Sequence, residues 1–120
     1  MRQYIVVLDR KHIPGEPRVP EYEHVWAEYP QTDACDCVDH LWRASIGVTH
    51  GTPIDRAAID GAAKLGLVIV MGEDAGIVDA AACAERDIEI AHLPPDGSPD
   101  QARMERLMDI IDAYVARCAV

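Results

Sequence analysis

Short apolar runs recur along this chain at intervals that fit strands, and polar or Ala-rich segments separate them. Tyr4-Ile5-Val6-Val7-Leu8 has no polar alternation, so it reads as a strand covered on both faces. Residues 45–49 and 67–71 have the same character, and residues 88–91 form a shorter run. Residues 32–37 read as a weaker second strand. Helical signals fill the gaps. They cover residues 21–29, stopped by Pro30, then 38–43, and then 55–64, where Asp55 is placed as an N-cap after Pro53. The Ala-rich residues 76–86 follow, and Asp100–Cys118 forms one long helix after the turn marked by Pro94, Pro95, Gly97 and Pro99. Five strands alternating with helices predict an α/β fold, a three-layer domain over residues 1–120 with a parallel sheet and helices on both faces. Right-handed crossovers favour a doubly wound sheet, and the order 2-1-3-4-5 suits this size. No repeat or linker divides the chain.

Composition narrows the picture. The 120 residues are 49% hydrophobic and 5% aromatic with no Phe, so the core must come from Ala, Val, Ile and Leu. The 21 acidic residues outnumber 11 Lys and Arg, for a formal net charge of −10. That field repels phosphate backbones and anionic lipid, which argues against nucleic-acid and membrane partners. The apolar runs are too short to span a bilayer, and the N-terminal run breaks at Asp9, unlike a signal peptide. Cys35, Cys37, Cys83 and Cys118 make no CxxC pattern, as expected of reduced thiols in a cytoplasmic protein.

In open parallel sheets, ligands bind at the carboxyl ends of the strands. That rim receives Asp9, Arg10, Lys11 and His12, then Thr49, His50 and Gly51, then Gly72, Glu73 and Asp74, and finally His92. One reading is an acid–base site in which His50 faces Glu73 or Asp74, with His12, Thr49, Gly72 and His92 lining the substrate. The other is that these are ordinary solvated loop residues. A metal site is not expected, since no HxxxH-type pair occurs. The glycines spell neither GxGxxG nor GxxxxGK[ST], so no nucleotide cofactor is expected. Cys35 and Cys37, two apart on a strand, would share a face beneath a helix. On the last helix, Met104, Leu107, Met108, Ile111, Tyr114, Val115 and Cys118 form an apolar stripe that Ile110 and Ala113 widen. The stripe either covers the sheet or docks a second copy as a homodimer.

The segment Val48-Thr49-His50-Gly51-Thr52-Pro53-Ile54-Asp55 resembles the third strand and "TPLD" loop of the D-isomer-specific 2-hydroxyacid dehydrogenases. Val78-Asp79-Ala80-Ala81-Ala82 and Arg86-Asp87-Ile88-Glu89-Ile90 are similar to that family's "VD…AA…RGI.V" stretch, and Ile5-Val6-Val7-Leu8-Asp9 and the closing helix fit the same order. The resemblance implies the flavodoxin-like substrate-binding domain of that family. There it is paired with a Rossmann domain that carries the NAD-binding glycines and the catalytic Arg, Glu and His. No position here matches those residues, so hydride transfer is not expected of this chain alone. Glu73 and Asp74 stand where the family has a Ser/Thr-Gly pair whose N–H groups hold the substrate carboxylate, and Ile77 replaces its Asn. Like charges about 4 Å apart repel by roughly 4 kcal/mol at intermediate dielectric, so this loop favours a cationic or neutral ligand.

Three functions follow as expectations. The first is a stand-alone relative of the substrate domain that binds a small molecule or a partner. The second is a cofactor-independent lyase, isomerase or hydrolase using His50 with Glu73 or Asp74. The third is the substrate half of a split NAD-dependent dehydrogenase, with the nucleotide-binding half on a partner subunit.

Overall fold

The computed structural model describes residues 2–118. Five strands, β1 (Gln3–Val7), β2 (His24–Glu28), β3 (Ile46–Thr49), β4 (Leu67–Val70) and β5 (Glu89–His92), form one sheet in the order β2-β1-β3-β4-β5. Every neighbouring pair is parallel, which confirms the expected α/β class and strand order. Strand alternation then sorts the core into two layers. Val6, Leu8, Val68 and Val70 meet Cys37, Leu41, Ala58, Ile59, Ala82 and Cys83. Those residues belong to or adjoin three short helices, α1 (Cys37–Leu41), α2 (Arg56–Gly61) and α3 (Ala80–Glu85). On the opposite face, Ile5, Val7, Ile46, Val48, Leu67 and Ile69 meet Met104, Leu107, Met108 and Ile111 of α4 (Asp100–Cys118). Among the described residues, no helix is long and apolar enough to cross a membrane.

The second strand lies elsewhere than expected. Residues 21–29, read as a helix, contain β2, and residues 32–37, read as a strand, hold the turn Ala34–Asp36 and the start of α1. β2 is an edge strand whose residues are all partly or fully exposed, so it carries no apolar run to announce it. Its pairing with β1 supplies the order that the side chains lack, from Gln3 opposite His24 to Val7 opposite Glu28. Cys35 and Cys37 consequently do not share a strand face: Cys35 is exposed and Cys37 buried. Burial, with the Asp55 carboxylate second, pushes the Cys37 thiol up to about 11.

Two helices are shorter than their patterns suggest. The expected 55–64 helix closes at Gly61. The expected 76–86 helix becomes a turn at Ala75–Ile77 followed by α3. Asp79 caps α3 by accepting a bond from the Ala82 N–H at 3.0 Å, so helix begins only beyond it. Val78 is meanwhile paired in parallel with Ile54, which stitches the loop after β4 to the loop after β3. The apolar stripe of α4 is largely spent on the sheet. Met104, Leu107, Met108 and Ile111 are buried there, Ile110, Tyr114 and Val115 pack at its margin, and Ala113 and Cys118 are exposed.

Candidate functional site

The loops that follow the strands meet at the C-terminal rim, and Asp9 organises them. It leaves β1 buried, 3% exposed, with its carboxylate turned beneath the loop after β3. Oδ1 accepts the His50 N–H at 2.8 Å, and Oδ2 accepts the N–H groups of Gly51 at 2.7 Å and Thr52 at 3.3 Å. Successive N–H groups in such a loop form an anion-binding nest. Here the chain's own carboxylate fills it, and charge-assisted bonds hold the loop still. Thr49 completes the turn. Fully buried, it donates its hydroxyl to the Thr52 carbonyl at 2.8 Å and accepts the Thr52 N–H at 3.0 Å. Thr49 therefore shapes the loop from within.

His12 arrives from the turn Arg10–His12 just after Asp9. Arg10 steadies this segment, donating to the Ile13 carbonyl and, at 2.6 Å, to the Gly15 carbonyl while pairing with Glu28 at 3.0 Å. The His12 and His50 rings stack with centroids 5.6 Å apart and planes 28° from parallel. His50 in turn lies against Gly72, where a Cβ would come within 2.1 Å of the His50 carbonyl oxygen. Only a residue without a side chain lets the β3 and β4 loops approach so closely. His92 closes the chain of contacts by donating from Nε2 to the Gly72 carbonyl at 2.8 Å. Thus His12, His50, Gly72 and His92, spread over 81 positions, form one connected group.

The expected acidic partners stand differently. Glu73 and Asp74 are exposed, and Asp74 accepts the Gly76 N–H at 2.8 Å to start the Ala75–Ile77 turn. No hydrogen bond or ion pair among the described residues links His50 to either one. The carboxylate that His50 meets is Asp9, through its backbone. Nor does any cluster of three or more His, Cys, Asp or Glu side chains among the described residues suit a metal ion.

The roles of two rim residues escaped sequence reasoning. Asp9 was visible as a strand-end residue, but its burial depends on the loop geometry around it. Arg103 lay on the polar side of α4 by helical periodicity. In the fold it reaches across to the rim and donates from Nη2 to the carbonyls of Met71 at 2.9 Å and Leu93 at 2.7 Å. It thereby ties the ends of β4 and β5 together beside Gly72 and His92. A Cys, His or Gly motif gives no sign of either role; an Asp directly after the first strand and an Arg in the first turns of the last helix are the available signals.

Comparison with known proteins found two likenesses. The chain is 30% identical over 91 residues to a Haemophilus influenzae protein described as a "putative 2-hydroxyacid dehydrogenase"; the match covers 74% of this chain and 29% of that protein. A solved structure reported as the pyruvate reductase of Chlamydomonas reinhardtii superposes with a TM-score of 0.53 at 14% identity, over 78% of this chain and 29% of that one. The second likeness concerns the fold. No family model matches the chain. The chain thus spans 29% of the length of the curated relative it matches.

Proposed function

We propose that this chain is a small-ligand-binding unit related to the substrate-binding part of 2-hydroxyacid dehydrogenases, with its ligand held at the rim formed by His12, His50, Gly72 and His92. The observation that carries this reading is the unbroken series of contacts joining those four residues at the strand ends. Thr49 and Asp9 act from below as positioning residues. Glu73 and Asp74 follow Gly72 with side chains exposed to solvent, which favours a ligand that is neutral or cationic near them. Residues 1–120 hold no glycine-rich phosphate cradle, so hydride transfer would need a nucleotide-binding unit, elsewhere in the polypeptide or on a partner subunit. Self-association through α4 would have to use its margin and exposed positions, Ile110, Ala113 and Cys118, since Met104, Leu107, Met108 and Ile111 are buried against the sheet; sedimentation at micromolar concentration tests that part separately.

The experiment is an NMR titration with 2-oxo acids, 2-hydroxy acids and their amino and amide analogues, with NAD in a parallel arm. Binding should move the His12, His50 and His92 imidazole signals, and His50→Ala should weaken it about tenfold or more. NAD binding to this chain, or ligand shifts confined to another surface, would overturn the reading. A second reading, nucleotide-independent acid–base chemistry, draws on the stacked His12–His50 pair. It predicts turnover of a bound ligand that disappears in His50→Gln while binding persists.

A further inference from the structure

We propose a second binding site at the opposite, N-terminal ends of the strands, for a small planar aromatic anion. A cavity of about 510 Å³ opens there between the first residues of β1 and β2 and the segments that follow α1 and α2, lined by Arg2, Tyr4, Val25, Trp42, Arg43 and Lys64 among others. That volume lies within the range of small-molecule sites. Strand β1 is five residues long, so roughly 15 Å of sheet separates this cavity from the histidine rim. The proposal stands independently of the rim.

Charge distribution carries the argument. With 21 acidic residues to 11 basic ones, almost any cation in this chain can find a carboxylate. Seven arginines do so: Arg2, Arg10, Arg18, Arg56, Arg86, Arg106 and Arg117. Arg103 is held by backbone carbonyls, and Lys11 by Gln31 at 2.6 Å. Arg43 and Lys64 form no ion pair among the described residues, and both line this cavity, which has no acidic residue in its wall. Uncompensated cations gathered in one concavity of an acidic molecule focus an attractive field for an anion.

The aromatic preference comes from Trp42. It is 60% exposed, one of two large hydrophobic side chains left so open among the described residues. Its ring already lies under the Arg43 guanidinium, 5.2 Å from ring centroid to carbon. A flat ring stacking on Trp42 would bring its anionic substituent beside Arg43 and Lys64, and Tyr4 and Val25 would supply an apolar floor. A carboxylate or a phosphate would satisfy these cations equally, so an aromatic acid and a nucleotide share the required chemistry.

Indole-3-carboxylate, adenosine monophosphate, neutral indole and inorganic phosphate, titrated separately while the two tryptophan indole N–H signals are followed by NMR, test the site. The Trp42 signal should move with at least one of the two aromatic anions, with Kd on the order of 0.1 mM. Which anion binds more tightly identifies the source. Arg43→Glu with Lys64→Glu should weaken binding about tenfold or more without changing Tm, since both side chains are exposed. Trp42→Ala should weaken binding comparably. No shift at Trp42 with either anion would overturn the proposal, as would indole or phosphate binding as well as the aromatic anions, or an unchanged affinity in the charge-reversed variant. Movement of the rim histidines alone would assign the ligand to the other site and likewise overturn it.

Discussion

Strands β4 and β2 belong to one sheet and obey different rules. All four residues of β4 are completely buried, pressed between the short helices and α4, whereas every residue of β2 is partly or fully exposed. The former is held by its side chains and the latter chiefly by its backbone ladder with β1. A central parallel strand must therefore be written in the sequence as an apolar run, and an edge strand need not be. This difference explains why β4 could be read directly and β2 was mistaken for a helix.

The contrast can be broken most directly by truncation. Ile69→Ala on β4 should cost about 3–4 kcal/mol, while Val25→Ala on β2 should cost less than about 1 kcal/mol. Equal losses in chemical denaturation would erase the distinction. Next in size is Asp9→Ala, just past β1, another of the interior strands. It removes a buried acceptor from three backbone N–H groups and should cost about 2–3 kcal/mol, with formate restoring part of the loss by filling the nest. Gly72→Ala forces a backbone collision with His50 and should cost about 2 kcal/mol. Its effect should appear at the His12, His50 and His92 resonances, while the β2 amides stay in place.

The pH dependence sharpens the same contrast between interior and surface. Cys37 has an ordinary value of 9.0 and is pushed up to about 11 in the fold. Its protonated form is therefore favoured by folding. The stability this provides is complete below pH 9 and is lost as pH rises toward 11. Cys37→Ala should flatten that decline, as measured by denaturant midpoints across pH 8–11. Thiol titration at neutral pH should separate a fast pair, Cys35 and Cys118, from a protected pair, Cys37 and Cys83. The smallest effect belongs to the other edge. Asp87, just before β5, has φ 55°, a left-handed conformation that suits glycine, the residue that the resembling family places there. Asp87→Gly should stabilise the fold by about 0.5–1 kcal/mol.

Legibility followed burial. Strands β1, β3 and β4 were readable because covering both faces demands consecutive apolar residues, and locating their ends placed Thr49, His50, Gly72 and Glu73 on the rim. His12, Asp9 and His50 illustrate what sequence withholds. The stacking of two rings 38 positions apart depends on how two loops turn, and an Asp after a strand reads the same whether it faces water or a ring of N–H groups. Helix ends were misjudged where a cap overruled composition, as at Asp79, whose carboxylate starts α3 four residues later than the Ala-rich pattern suggests.

One face of the sheet is covered chiefly by one element, α4, which follows all five strands in chain order. On the ribosome, Ile5, Val7, Ile46, Val48, Leu67 and Ile69 would stay bare until residues 100–118 emerge from the exit tunnel. A nascent chain with such an uncovered greasy surface is a natural client for chaperones, and this protein's yield in a cell should depend on how quickly that last segment swings into place.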